Sequence, residues 1–292
     1  MELLRSLLFV PGNRPDMIEK ARSLLADALV LDLEDSVPLS EKEKAREVVA
    51  QRLPHLALRG QQVWVRVNSL ATGLTMAELE AVVGPHIHGI SLPKVEGASD
   101  IQLVAKEIEA LERERGLEVG RLGIIPWVEL ARAIIRAEEI ATASPRVVGL
   151  AFGADDFSLD MGMLPTPEGL MYPRAKVAVA ARAADILALD SPYIAHTDPE
   201  GLVAEATLVR KLGFQGKFVI HPSQIQPVND VFRPSAEEIE EAREMVSAFA
   251  AAQARGSAAI AVRGRLVDTP VARRAERLLR LAEALARREG IS

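Results

Sequence analysis

The chain has 292 residues, with 35 Lys and Arg against 41 Asp and Glu (net charge −6), no cysteine and 4% aromatic residues. Disulfides, thiolate metal sites and a cysteine nucleophile are excluded, and interspersed charges with few aromatics leave no basic, base-stacking face for nucleic acid. The opening M-E-L-L-R-S-L-L-F-V is broken too early by Pro11-Gly12 to be a secretory signal, and no apolar run approaches membrane-spanning length, so a soluble, cytoplasmic protein is expected.

In chain order, extended apolar runs alternate with helical patterns. The runs are Ser6 to Val10, Ala28 to Leu33, Gln62 to Val67, Gly89 to Leu92, Arg121 to Trp127, Val147 to Phe152, Asp185 to Asp190 and Lys217 to His221. Helix-like segments such as Pro15 to Leu25, Glu41 to Arg52 and Asp100 to Glu114 separate them. Strands that alternate with helices pair in parallel through crossover helices. Their spacing of roughly 20 to 40 residues brackets the roughly 30 per unit of an eightfold βα repeat. The expected fold is α/β: a (β/α)8 TIM barrel over residues 1–255, its eighth unit completed by a helix from Ser235 to Arg255, with a C-terminal helical extension over 256–292. A doubly wound open sheet is the alternative, because a strand count does not establish closure.

The first turn, Pro11-Gly12-Asn13-Arg14-Pro15, has neither a dinucleotide fingerprint nor a P-loop. Arg14 and Lys20 are placed either to meet a phosphate-bearing ligand above the barrel or simply to face solvent. In the second run, L-V-L-D-L-E-D-S, alternation puts Val30, Asp32 and Glu34 on one face and Leu29, Leu31 and Leu33 on the other. The leucines suit packing against helices, so Asp32 and Glu34 point inward with Asp35 at the rim. Buried carboxylates need a cation or arginines beside them, and an internal salt-bridge network would meet that need without chemistry.

The third run, V-W-V-R-V-N, turns Trp64, Arg66 and Asn68 inward if its valines pack on helices. Arg66 then either grips a ligand carboxylate with two prongs or pairs with Asp32 or Glu34. Lys94, in the fourth run's L-P-K-V-E, is either an imine-forming amine or a counter-charge for the acids. The fifth run places Ile125, Trp127 and Glu129 on one face, and the sixth, V-V-G-L-A-F-G-A-D-D-F, ends in Asp155 and Asp156. Either aspartate also suits a helix cap, and Glu129 a first helical turn. On adjacent parallel strands, however, Glu129 and Asp156 reach the same C-terminal rim, and two carboxylates with waters and substrate oxygens make a magnesium site. The five histidines show no H-x-x-x-H spacing, which argues against zinc.

Seven separated motifs, R-S-L-L-F-V-P-G-N-R-P, L-D-L-E-D-S-V, V-R-V-N, S-L-P-K-V-E, I-P-W-V-E, F-G-A-D-D-F and V-I-H-P-S-Q, together resemble the citrate lyase β-subunit family, within the wider group of HpcH/HpaI-type aldolases and malyl-CoA lyases. The match runs in order from Arg5 to about Gln224. The resemblance implies a (β/α)8 barrel, a bound Mg2+ and cleavage or formation of a C–C bond beside a thioester. It implies that Glu129 and Asp156 are metal ligands, with Asp155 a weaker candidate. Arg66 becomes the clamp for the carboxylate of an oxaloacetate-like or glyoxylate-like keto acid, and Glu34 and Asp35 the acids around metal-bound water.

Past His221, the segment G-S-A-A-I-A-V-R-G-R-L-V-D-T-P-V and a final helix exceed what a single barrel needs. Asp268-Thr269-Pro270 suits a helix start with a capping aspartate and proline at the first position. Its resemblance to the ending of malyl-CoA lyases implies instead that Asp268 reaches a neighbouring subunit's site as the acid/base, which predicts a homotrimer or a multiple of it. The expected partners are a keto acid and a CoA thioester, or an acyl-carrier-protein thioester if the chain works inside a citrate lyase complex. A keto-acid binding role without turnover is the remaining alternative, because fold and family do not fix activity.

Overall fold

A computed structural model describes residues 4–56 and 60–289. Eight parallel strands close into a barrel in sequence order. They are β1 Ser6–Pro11, β2 Ala28–Asp32, β3 Gln62–Arg66, β4 Gly89–Leu92, β5 Gly123–Val128, β6 Gly149–Phe152, β7 Leu187–Asp190 and β8 Gly216–Val219. Closure is made by β1 against β8, with Ser6 beside Lys217 and Leu8 beside Val219. All eight expected strands are present, and the open-sheet alternative falls. Boundaries shift where the backbone forces them: Asp185 has a left-handed φ of 57°, so β7 begins two residues after the expected start.

The crossovers are α1 Pro15–Ala21, α2 Lys42–Arg52, α3 Thr75–Val82, α4 Ala98–Glu114, the pair α5 Ala131–Ile135 and α6 Ala137–Ala141, the pair α7 Ala154–Met161 and α8 Pro167–Ala183, α9 Pro199–Leu212 and α10 Ile225–Phe232. Among the described residues no helix is long and apolar enough to cross a membrane.

The barrel is filled, not hollow. Leu7, Ala28, Val30, Trp64, Ile125, Trp127, Ala151, Leu189 and Phe218 form its buried interior, which confirms the inward faces expected of β2, β3 and β5. The Trp64 ring fits because β4 and β5 begin with glycine. A Cβ on Gly89 would lie 2.4 Å from that ring and 2.2 Å from the Gly123 carbonyl. Toward the C-terminal end Phe9, Trp127 and Phe218 stack on one another, with centroids 4.4 to 5.8 Å apart, and floor the space above.

Outside the strands, two buried charge clusters tie the helical layer down. On β7 and β8 the outward residues Asp190 and Lys217 lie in register and are joined by Arg174 of α8 and Glu205 of α9. On the opposite side Glu112 of α4, fully buried, accepts from Arg146 at 3.0 and 2.6 Å and from the backbone N–H groups of Gly120 and Leu122.

The chain divides into two compact units, Leu4–Asp230 and a second from Val231 onward. The second holds α11 Ala236–Ala254, a hairpin of β9 Ile260–Val262 and β10 Arg265–Val267, and α12 Thr269–Glu289. Its core is Phe249, Val262, Val267 and Ala272. The helix assigned from sequence to the eighth βα unit therefore groups with the C-terminal segment, and the division falls at 230 rather than 255. The short α10 already serves as the crossover after β8, while α11 finds its apolar partners in the hairpin and α12.

Removal of the Glu112 carboxylate, by Glu112→Ala, should strand a buried guanidinium and lower stability by about 3–5 kcal/mol, read as a lower urea midpoint. Burial pushes this carboxyl up, but Arg146 and the two backbone donors outweigh it and hold it below its ordinary value of 4.5. The stabilisation is thus complete above that value and lost as pH falls through the lower folded-state value. The urea midpoint of the native protein should drop on acidification below pH 4.5, with a shallower drop in Glu112→Gln.

Candidate active site

The strand tips deliver charged side chains to one cavity of about 340 Å3 at the C-terminal end of the barrel, lined by Asp32, Asp35, Arg66, Glu129, Asp155 and Asp156 above Phe9 and Trp127. Gly153, Ser191, Ile194 and Ile220 complete much of the wall.

Asp32 and Arg66 end neighbouring strands in direct register. Arg66 Nε and Nη2 donate to the two Asp32 oxygens at 2.7 and 2.8 Å, so the guanidinium grips an internal carboxylate side-on. Two of its five N–H groups are thereby used. Nη1 faces Glu34 Oε2 at 3.0 Å and Asp35 Oδ2 at 3.5 Å. The cation lies 4.3 Å from the centre of the Phe9 ring, where the π face favours positive charge. Asp32 is held below its ordinary value: burial opposes this and is outweighed by Arg66 and the donors at Ser36 and Glu34. Glu34, itself buried, is pushed up to about 7 by burial and by the Asp35 charge, against the pull of Arg66 and Lys94. Its buried Oε2 meets Arg66 Nη1 as an ion pair without hydrogen-bond alignment.

Glu129 follows β5 and is 2% exposed. Burial, then the charges of Asp156 and Glu34, push its carboxyl up to about 8. One oxygen accepts from the Lys94 backbone N–H at 2.7 Å. The side chain can cross the tip of β6 only because residue 153 is glycine, where a Cβ would meet Glu129 Oε2 at 2.2 Å. Asp155 and Asp156 occupy the first turn of α7, where the helix dipole favours acids. Asp155 is raised by burial and by its neighbours Asp156 and Glu205.

Lys94 contacts the same acids: its ammonium donates to Glu34 Oε1 and lies 3.6 Å from Asp35 and 3.7 Å from Asp156. Burial lowers its pKa, but the Glu34 hydrogen bond and the surrounding carboxylates outweigh that and raise it. An imine-forming amine needs the opposite shift, so the geometry supports the counter-charge reading.

Of the residues singled out from sequence, the barrel brings Arg66, Glu129, Asp156, Glu34 and Asp35 together. Arg14 it leaves half-exposed and paired with Asp16 at 3.0 Å. Asp268 lies in the second unit, where its Oδ1 accepts from Val271 N at 3.2 Å and caps α12. The contributions of Phe9, Gly153, Ser191, Ile194 and Ile220 were not anticipated. Phe9 lies within β1 and the other four follow the tips of β6, β7 and β8, but small or apolar residues there resemble ordinary loop and core.

Among the described residues no three His, Cys, Asp or Glu side chains converge as a ready-made metal cage. Magnesium needs no such cage, since it binds through one or two carboxylates and keeps water and substrate oxygens. The donor set fits this ion: hard oxygens only, with Glu129 raised by burial and then by the charges of Asp156 and Glu34.

Known proteins resemble the chain along most of its length. The chain is 39% identical over 284 residues to the citrate lyase subunit beta of Leuconostoc mesenteroides subsp. cremoris, covering 97% of this chain and 94% of the relative. It is 35% identical over 304 residues to the L-malyl-CoA/beta-methylmalyl-CoA lyase of Cereibacter sphaeroides, covering 97% and 95%. The crystal structure of CitE from Mycobacterium tuberculosis with magnesium, acetoacetate and coenzyme A superposes with a TM-score of 0.77 at 32% identity, over 95% of this chain and 97% of that one. The HpcH/HpaI aldolase/citrate lyase family model matches residues 5–222, and with the strand-tip carboxylates in place the chain belongs to that family of carbon–carbon lyases.

Proposed function

We propose that the chain is a magnesium-dependent lyase that cleaves, or in reverse forms, a 3-hydroxy-acyl thioester of coenzyme A, yielding an acetyl or propionyl thioester and a 2-keto acid. The observation that carries this reading is the meeting of Glu129, Asp156 and Arg66 in one pocket at the barrel's C-terminal end, where barrels of this kind place their chemistry. Glu129 and Asp156 would hold the ion, which when bound supplies Lewis-acid polarisation of the keto-acid oxygens.

The remaining work falls to the chain's own residues. Arg66 orients and neutralises the keto-acid carboxylate with the N–H groups that Asp32 leaves free. Asp32 stops the guanidinium from swinging, and Glu34 and Asp35 steady its Nη1 side. Phe9 and Trp127 exclude water from below, which strengthens each of these interactions. In cleavage the hydroxyl gives its proton to a water molecule, its oxygen forms the keto-acid C=O as the C–C bond breaks, and the electron pair of that bond passes to the α-carbon of the departing thioester. That carbon then needs a proton, a role we assign to Asp268 of a neighbouring subunit, delivered by its C-terminal segment within a homotrimer or a multiple of it. Arg14, exposed beside the first strand tip, is assigned to the coenzyme's phosphates. The protein would act in the cytoplasm, where such thioesters occur.

A second reading is favoured by one observation, that the Leuconostoc relative is itself named as a subunit. In it the chain acts on an acyl-carrier-protein thioester inside a complex, or binds a keto acid without turnover alone. The two separate on the purified chain. Turnover of citramalyl-CoA, malyl-CoA or citryl-CoA that requires Mg2+ selects the free-standing enzyme. Silence with all three, restored by the carrier-protein thioester, selects the subunit.

Glu129→Gln and Asp156→Asn should each abolish Mg2+ binding in a calorimetric titration and lower kcat by more than the roughly 10–100-fold that loss of a supporting contact costs. Asp268→Asn should remove turnover by about 100-fold or more while leaving the melting temperature and Mg2+ affinity unchanged. Mixed oligomers of Asp268→Asn and Glu129→Gln chains should regain part of the activity, because some sites then combine an intact metal pair with an intact neighbouring acid. Undiminished turnover in Asp268→Asn would remove that residue from the mechanism.

A further inference from the structure

Lys94 stands just beyond β4 with φ of 52°, a left-handed backbone that side chains larger than glycine rarely adopt unless the surroundings enforce it. The contacts made from that position explain why it is kept. The backbone N–H is turned onto Glu129 Oε1 at 2.7 Å, and the side chain reaches Glu34 Oε1, with Asp35 and Asp156 3.6 and 3.7 Å away. One residue thus touches both carboxylates read as metal ligands, the first with its backbone and the second with its charge.

We infer that Lys94 is a built-in competitor for the metal position: its ammonium neutralises Asp156, Asp35 and Glu34 until a divalent ion enters, and its displacement from Asp156 sets the affinity at which that ion binds. The inference rests on the reading that Glu129 and Asp156 hold magnesium. Asp156 cannot serve two cations at close quarters without mutual repulsion, so entry of the ion moves the ammonium toward Glu34 and Asp35. Glu34 Oε1 already accepts from the ammonium while its Oε2 faces Arg66 Nη1 at 3.0 Å, so the ammonium keeps a buried anionic partner when it leaves Asp156. The Lys94 backbone donor meanwhile occupies one Glu129 oxygen and leaves the other, the one crossing Gly153, for the ion. The lysine is on this account a positioning residue that tunes metal occupancy, not a nucleophile.

The test is calorimetric titration of the full-length protein with magnesium chloride alone, at one pH and ionic strength, for wild type, Lys94→Asn and Lys94→Arg. Asparagine tolerates the left-handed backbone and removes the charge together with its reach to Glu34; Lys94→Gly serves as a second neutral variant should Lys94→Asn not fold. Both neutral variants should bind Mg2+ at least about tenfold more tightly than wild type, as expected from loss of a like charge at this distance, and Lys94→Arg no more tightly. In melting curves the neutral variants should start lower without metal and gain more on adding Mg2+. If wild type binds Mg2+ and the neutral variants bind it equally or more weakly, the competitor role is overturned and the metal site stands. If wild type gives neither binding heat nor a melting shift with Mg2+ while Glu129→Gln behaves identically, the metal reading itself fails and takes this inference with it.

Discussion

The structure of this site depends on a charge imbalance that the barrel forces into a small volume. Asp32, Glu34, Asp35, Glu129 and Asp156 meet at the strand tips, and two cations, Arg66 and Lys94, face them. A bare buried carboxylate is very unfavourable, so each acid is either paired, left at the rim or pushed toward its protonated form. Asp32 takes the first course, Asp35 the second, and Glu129 the third. Neighbouring groups of opposite preference are a common mark of a site built for chemistry.

The fold supplies the geometry that makes the imbalance tolerable. Parallel register puts Asp32 beside Arg66, so this two-pronged ion pair is fixed by the strand pairing. The aromatic stack of Phe9, Trp127 and Phe218 closes the interior beneath it. Buried aromatic surface of this kind stabilises the barrel and at the same time lowers the effective dielectric around the guanidinium above.

Period-two alternation made the barrel and its inward faces legible. Val30 and Asp32, Trp64 and Arg66, and Trp127 and Glu129 were separable from their helix-facing neighbours because β-strands have only two sides. What alternation does not encode is who meets whom across the barrel. Arg66 had Asp32 or Glu34 as partners, and strand register puts its two-pronged grip on Asp32 while its third nitrogen meets Glu34. Lys94 read as a lysine on a strand end, whereas its contacts follow from a left-handed turn that its sequence does not signal in the way glycine would. Arg14 lies beside the site in sequence and faces outward because Asp16, two residues on, captures it. The division at residue 230 was hidden for a different reason. Helix Ala236–Ala254 has the length expected of a crossover, and its allegiance is decided by the apolar hairpin that follows.

The outer quartet of Asp190, Arg174, Lys217 and Glu205 has a consequence for how this lineage can vary. Two positive and two negative groups interlock there, with Asp190 and Lys217 wholly inaccessible to solvent. Any one replacement strands an ion, whereas exchanging the set for well-packed apolar residues would be tolerated. Gradual drift one codon at a time therefore meets a barrier at this wall, and Ser191, the next residue after Asp190 and a lining residue of the cavity, inherits its position from a neighbour that is hard to change.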